Sequence, residues 1–333
     1  MTDTKHEINY NELVNPTFTT GQATLEMLAA SGNPDAITYK ELLSVAGTTD
    51  KVGGNANDGN KFFSPEEGKA LMMGITLSVE ARYAAVTRLL KESGYKSMLD
   101  IASGYTPRAL MCQKDGIDYV GMDLPAVVDK MLPLSQKVLT AGSHPAYVTG
   151  DVTNATSLKQ AADLLQGELF ISCEGLLTYL NTSELEQAIH GIRQVLLVHG
   201  GAWYTSDMDV QYDHFSAVAI NNPDALQRFA AVMRSVKKES DVYFFPTTFK
   251  SLEEKISFFE ERGLYVELCP FYTDDTQLNI LYGFDSEGQA RMKHLMKSFH
   301  IWKMTASEEK NETSHQVANG LDIQYHYCDD TLH

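Results

Sequence analysis

The sequence predicts a doubly wound, mostly parallel α/β sheet with a helical N-terminal segment and a helical insertion, and three observations carry that expectation. Short apolar runs alternate with amphipathic helical segments between residues 97 and 207. The runs lack the polar alternation of half-solvated strands, as parallel strands covered on both faces do. Each run also ends in small or acidic residues, at the position where open α/β sheets bind their ligands.

Taken in order, residues 1–95 read as a helical N-terminal segment and a lead-in helix. Helical patterns at 23–30 and 39–45 precede KVGGNANDGN, a Gly/Asn-rich stretch that reads as a loop. Ser64-Pro65-Glu66-Glu67 then supplies a cap, a proline and acids for a first turn. Leu71, Ile75, Val79, Tyr83 and Val86 continue it at helical spacing. Residues 96–207 form the α/β core, with strands expected at 97–102, 119–123, 147–151, 169–174 and 202–207. The clearest helix spans 181–198, with Leu185, Ile189, Ile192 and Leu196 on one face, a capping box at Asn181 and Glu184, and a Gly200-Gly201 stop. Residues 208–247 are an aromatic and polar insertion read as a lid over the strand ends. Residues 248–305 complete the core with a helix at 249–262, a strand at 265–271, a helical stretch to 297 and an apolar run at 299–305. Residues 306–333 form a tail with an edge strand expected at 321–328.

Composition bounds the function. With 43% apolar and 21% charged residues in 333, the chain fits one α/β domain with insertions. A net charge of −17 would repel a phosphate backbone, and no basic stripe offsets it, so no nucleic-acid partner is expected. Cys112, Cys173, Cys269 and Cys328 are widely spaced, without a C-x-x-C pair, which argues against a metal site and for reduced thiols in a cytoplasmic protein. The N-terminus has no signal-peptide pattern and no apolar run approaches the ~20 residues of a membrane span, so no membrane partner is expected. Nothing in the sequence fixes an oligomeric state.

The strand ends carry the chemistry. The first leads into Asp100-Ile101-Ala102-Ser103-Gly104-Tyr105-Thr106-Pro107, whose small residues let backbone approach a ligand, or simply make a tight strand-to-helix turn. The second ends at Asp123-Leu124, where a carboxylate nineteen residues after Gly104 can accept hydrogen bonds from both ribose hydroxyls. A dinucleotide site normally uses G-x-G-x-x-G for its pyrophosphate, and this loop keeps one of those glycines. Asp151-Val152 ends the third strand, as an adenine contact or a turn residue. The fourth ends in Glu174-Gly175, where a carboxylate at an apolar strand end needs a cationic partner such as a ligand ammonium.

EGLLTYL at 174–180 and MDLPAVVDK at 122–130, within the stretch from about 78 to 207, resemble the leucine carboxyl methyltransferase family, which includes tetracenomycin-type polyketide O-methyltransferases. The resemblance implies a Rossmann-like methyltransferase fold, S-adenosyl-L-methionine as cofactor and O-methylation of a small molecule. It implies that Arg82 grips the cofactor carboxylate, Gly104 lies against the cofactor, Asp123 holds the ribose, Asp151 and Val152 flank adenine, and Glu174 meets the methionine ammonium. The family loop runs close to L-G-x-G-x-D-T-R, whereas here Ala102 replaces its first glycine and Thr106-Pro107 precede Arg108. Methyl transfer from a sulfonium needs alignment and exclusion of water rather than a covalent intermediate. A carboxylate acceptor needs no base. A hydroxyl acceptor would be helped by one, and His214, Asp209 and Tyr212 are the candidates, with Tyr179 a candidate pocket residue. A nicotinamide oxidoreductase and a non-catalytic adenosylmethionine-binding or partner-binding protein are the competing readings.

Overall fold

Capping and apolar spacing set the helices where the sequence places them. The computed structural model describes residues 15–45, 64–142, 144–209, 212–228 and 249–306. The polar stretch at 51–60 and the edge strand expected at 321–328 lie outside the described residues. Helices α1 (Asn15–Ala30) and α2 (Pro34–Val45) precede the long lead-in helix α3 (Pro65–Ser93). The Ser64 hydroxyl accepts from the Glu67 N–H at 3.2 Å while the Glu67 carboxylate accepts from the Ser64 N–H at 2.9 Å, satisfying two donors that would otherwise be orphaned. Gly94, at φ 74°, ends α3 in the left-handed conformation that favours glycine.

The core then alternates as expected: β1 (Ser97–Ile101), α4 (Arg108–Lys114), β2 (Asp118–Asp123), α5 (Pro125–Val138), β3 (Tyr147–Thr149), α6 (Ala155–Ala162), β4 (Leu169–Cys173), α7 (Thr182–His199) and β5 (Gly201–Thr205). Helix α7 starts with the Asn181/Glu184 capping box, its two bonds at 3.0 and 2.9 Å. After α8 (Tyr212–Ile220) come α9 (Leu252–Glu260), β6 (Leu264–Pro270), α10 (Ser286–Lys297) and β7 (His300–Ala306). The seven strands are ordered β3-β2-β1-β4-β5-β7-β6. The first five run parallel, and β7 enters antiparallel between β5 and β6.

Alternation along β1 divides the interior. Leu99 and Ile101 face a core built with α6, α7 and α9, and Met98 faces the other layer, formed by α1 to α5, α8 and α10. Asp100 lies on this second face, sealed beneath helices at 4% exposure. In the described part of the insertion, helix α8 is packed against α3 and α10: Phe215 is fully buried, and its backbone lies where a side chain at Gly74 of α3 would stand. Apolar Phe215, stacked on Phe299 at 5.8 Å, holds it there. At the site, the loop after β1 contains Ala102 at φ 53°, a left-handed conformation that costs a residue with a Cβ roughly 1 kcal/mol.

Ala102→Gly is therefore expected to raise stability by up to about 1 kcal/mol, and Ala102→Val to lower it, because branching adds to the same clash. Urea unfolding of the two variants beside the parent chain checks the opposite signs.

Candidate functional site

Strand β1 is flanked by β2 on one side and β4 on the other, so the chain leaves in two directions and the carboxyl ends of β1 and β4 form the topological switch point at which open α/β sheets bind ligands. The loop after β1 folds back over β2. Ala102 N–H donates to the Met122 carbonyl at 2.8 Å, and Gly104 N–H donates to Asp123 Oδ2 at 2.7 Å. The second carboxylate oxygen, Oδ1, accepts from Leu124 N–H at 2.7 Å. Gly121 makes this approach possible, since a Cβ there would stand 2.9 Å from Ser103 Oγ and 2.8 Å from the Tyr147 ring. Burial raises the Asp123 pKa to about 6 against the lowering effect of these two amides. Each carboxylate oxygen keeps acceptor capacity beyond one amide, as binding a vicinal diol requires.

Beneath the loop lies a buried cluster of charge. Arg108, the first residue of α4, is 1% exposed, donates to Glu174 Oε1 at 2.9 Å and to Thr87 Oγ1 at 3.2 Å, and lies 3.9 Å from Asp100. Its guanidinium sits 4.4 Å from the centre of the Tyr83 ring. Asp100 also accepts from Tyr119 Oη at 3.0 Å and from the Ser172 hydroxyl. Burial raises the pKa of both Asp100 and Glu174, and Arg108 acts in the opposite direction on each. A second pair adjoins it: Asp207 lies 4.0 Å from Arg82 and accepts three successive backbone N–H groups, from Gly175 at 2.6 Å, Leu176 at 2.7 Å and Leu177 at 2.9 Å. Gly175, at φ 71°, turns the chain under the Arg82 guanidinium, where a Cβ would lie 3.6 Å from it.

The structure thus brings Ala102, Gly104, Asp123, Leu124, Glu174 and Gly175 to the carboxyl ends of β1, β2 and β4, with Asp100 and Arg82 buried beside them. It corrects the argument for Glu174, whose cationic partner is Arg108 of this chain, so burial of that carboxylate does not by itself require a ligand. Asp151 Oδ1 accepts from the N–H and hydroxyl of Thr153 at 2.9 and 2.8 Å, as a turn residue does, and Val152 packs into the α6–α7 core. Tyr179 stands on a short 3-10 turn, 177–179, ahead of α7. Two candidate bases are engaged elsewhere: Asp209 Oδ2 accepts from His300 N–H and contacts its Nδ1, both at 2.9 Å, and His214 stacks on Phe299 at 5.6 Å. The Tyr212 side chain lies outside the described residues. Reading the sequence missed Arg108 and Asp207 as members of the cluster. Asp207 was signalled, because Ser206-Asp207 repeats the small-then-acidic ending of the other strands. Among the described residues, no cluster of His, Cys, Asp and Glu could hold a metal, and no helix is long and apolar enough to cross a membrane.

No family model and no curated protein matches the chain. Solved structures similar to it include a DUF574 family protein of Streptomyces avermitilis, at 17% identity over 82% of this chain and 96% of that one, with a TM-score of 0.49. Magnesium protoporphyrin IX methyltransferase of Synechocystis, solved with bound S-adenosylhomocysteine, is 13% identical over 71% of this chain and 87% of its own, with a TM-score of 0.42. Human N-acetylserotonin methyltransferase, solved with S-adenosylmethionine, is 12% identical over 84% and 69%, with a TM-score of 0.38.

Arg108→Met is expected to destabilise the fold by about 3 to 5 kcal/mol at neutral pH, since it strands two buried carboxylates. Both then have native pKa values further above their unfolded values, so the penalty should shrink as pH falls through the raised values and the carboxyls protonate. Urea unfolding from pH 7.5 down to pH 4.5 reads the difference between variant and parent. A penalty independent of pH would assign the loss to packing alone.

Proposed function

We propose that this strand-end site binds S-adenosyl-L-methionine and that the protein transfers its methyl group to a small-molecule acceptor, most closely in the manner of the O-methyltransferases of the leucine carboxyl methyltransferase type. The observation that carries this reading is the clamp of Asp123 on Gly104. A loop amide that would face a pyrophosphate in a dinucleotide site is occupied by a carboxylate 2.7 Å away. That carboxylate would repel a phosphate, whereas it offers acceptors to a ribose. A nicotinamide dinucleotide is disfavoured on this ground as well as by the single glycine.

The donor set fits a ligand that carries both charges with a net positive one. Asp100, Asp123, Glu174 and Asp207 stand against Arg82 and Arg108. The guanidinium of Arg82, opposite Asp207 and above Gly175, would meet the ligand carboxylate. Glu174, held in orientation by Arg108, would receive an ammonium while retaining its internal partner. The cofactor supplies an electrophilic methyl on a sulfonium when bound. The chain's share is to align that methyl with the acceptor and exclude water, which needs fixed dipoles and charges more than a titrating residue. Helix α1 contributes cover, because Gly21 passes so close to the loop that a Cβ there would lie 3.2 Å from the Tyr105 ring. With Asp209 and His214 engaged elsewhere, an acceptor that is already ionised, such as a carboxylate, fits this site better than one that must surrender a proton.

Adenosylhomocysteine is expected to raise the melting temperature while NAD and NADP leave it unchanged, by mass action on the native state. Arg82→Ala and Glu174→Gln should each weaken adenosylhomocysteine at least about tenfold, ~1.4 kcal/mol, and weaken 5′-methylthioadenosine much less, since it lacks the amino-acid end. Calorimetry that gives equal losses for both ligands, or tight NAD binding, would remove the assignment.

The ribose contact has its own pH signature. Because Asp123 accepts hydrogen bonds best when ionised and its pKa is raised to about 6, affinity for both nucleosides should be full above pH 7 and fall as pH drops through about 6. Asp123→Asn should flatten this profile, and titrations between pH 5 and 8 read it directly.

A further inference from the structure

At the opposite end of β2 from Asp123, a cleft of about 570 Å³ lies between α4, α5 and the chain that leads into β3. That volume is in the range of small-molecule sites. Ile117, Leu132 and Leu139 give it an apolar floor, and the Gln113 and Gln136 amides stand at its rim. Asp118, half-exposed, and His144, whose Nε2 lies 3.0 Å from the Asp118 carboxylate, both line it, and none of the lining residues is Lys or Arg. The C-terminal end of α5, with its negative dipole end, opens into the same space at Leu139 and Thr140.

The inner wall of the cleft is continuous with the strand-end site. Tyr119, 5% exposed, lines the cleft, and its hydroxyl donates to Asp100. Ala109 and Gln113, also lining residues, belong to α4, whose first residue is Arg108. A body wedged between α4 and α5 therefore bears on both groups that hold Asp100 and Glu174 in place.

We propose that this cleft is a second ligand site, for a small organic cation with an apolar body, and that its occupation alters the strand-end site through α4 and Tyr119. An aryl-alkyl ammonium matches it in kind: the ring covers the apolar floor and the ammonium meets Asp118. Charge decides against an organic anion, which would face Asp118, the α5 carbonyls and the overall charge of −17.

The test uses the full chain, with phenethylammonium as probe and 2-phenylethanol and phenylacetate as its neutral and anionic counterparts. Isothermal calorimetry is expected to show saturable amine binding, with the alcohol and the acid each at least about tenfold weaker. Asp118→Asn should weaken the amine about tenfold, and Ala141→Trp, which plugs the exposed mouth, should abolish its binding. Binding of all three probes alike, no saturation by the amine at millimolar concentration, or wild-type affinity in either variant would overturn the site. The coupling rests on the proposed function: saturating amine should change adenosylhomocysteine affinity about fivefold in the wild type and leave it unchanged in Ala141→Trp. An unchanged affinity in the wild type overturns the coupling. Failure of adenosylhomocysteine to bind at all overturns the proposed function, while the amine titrations still decide the cleft.

Discussion

A guanidinium buried between two carboxylates is the constraint around which this protein is arranged. Arg108 and Asp100 are almost without solvent and Glu174 is largely buried, so each charge depends on the others for the hydration it has lost. The arrangement fixes several elements at once. Asp100 belongs to β1, Glu174 follows β4, Arg108 opens α4, and Tyr83 and Thr87 on α3 receive the guanidinium from above. The lead-in helix, the central strands and the first crossover helix are thereby held in one register, which hydrophobic burial alone, being non-directional, would not specify.

The second pair extends this frame to the loop after β4. One carboxylate, Asp207, accepts three consecutive amides after β4 and so sets the loop 175–177 as a rigid floor. Short, charge-assisted bonds of this kind are about twice as strong as neutral ones. The left-handed Gly175 is what lets the chain turn tightly enough to present them. Arg82, 4.0 Å from Asp207 and close above Gly175, is oriented by an internal acid. The charges at these strand ends are thus held by internal partners, which would lower the reorganisation that the proposed ligand must drive.

Local preference and tertiary demand conflict at Ala102. An alanine in the left-handed region is strained, yet its N–H must reach Met122 for the loop to fold over β2 and bring Gly104 to Asp123. Strain concentrated at a ligand-facing loop, compensated by surrounding contacts, is common at functional sites. It also gives physical content to the departure from the glycine pattern: the loop keeps its path, at a local cost.

The sequence by itself determined the element order and which residues stand at the strand ends. Capping boxes at Ser64 and Asn181, the spacing along α3 and α7, and apolar runs with small or acidic endings are local signals, set by covalent geometry and by which groups a single turn can satisfy. They place Asp100, Gly104, Asp123 and Glu174 at strand ends without knowledge of the fold. Tertiary structure decided which partners those residues take. Sequence spacing carried no sign that Arg108 would turn inward to Glu174 across 66 positions, or that Asp207 would reach back over 30 to 32 positions to cap a loop. Nor did it show that Asp209 would be held by His300, or that α8 would pack on α3. The physical reason is the same in each case. A buried charge is satisfied by whatever cation or amide the packed sheet brings within about 3 Å, and that proximity exists only once distant strands have paired.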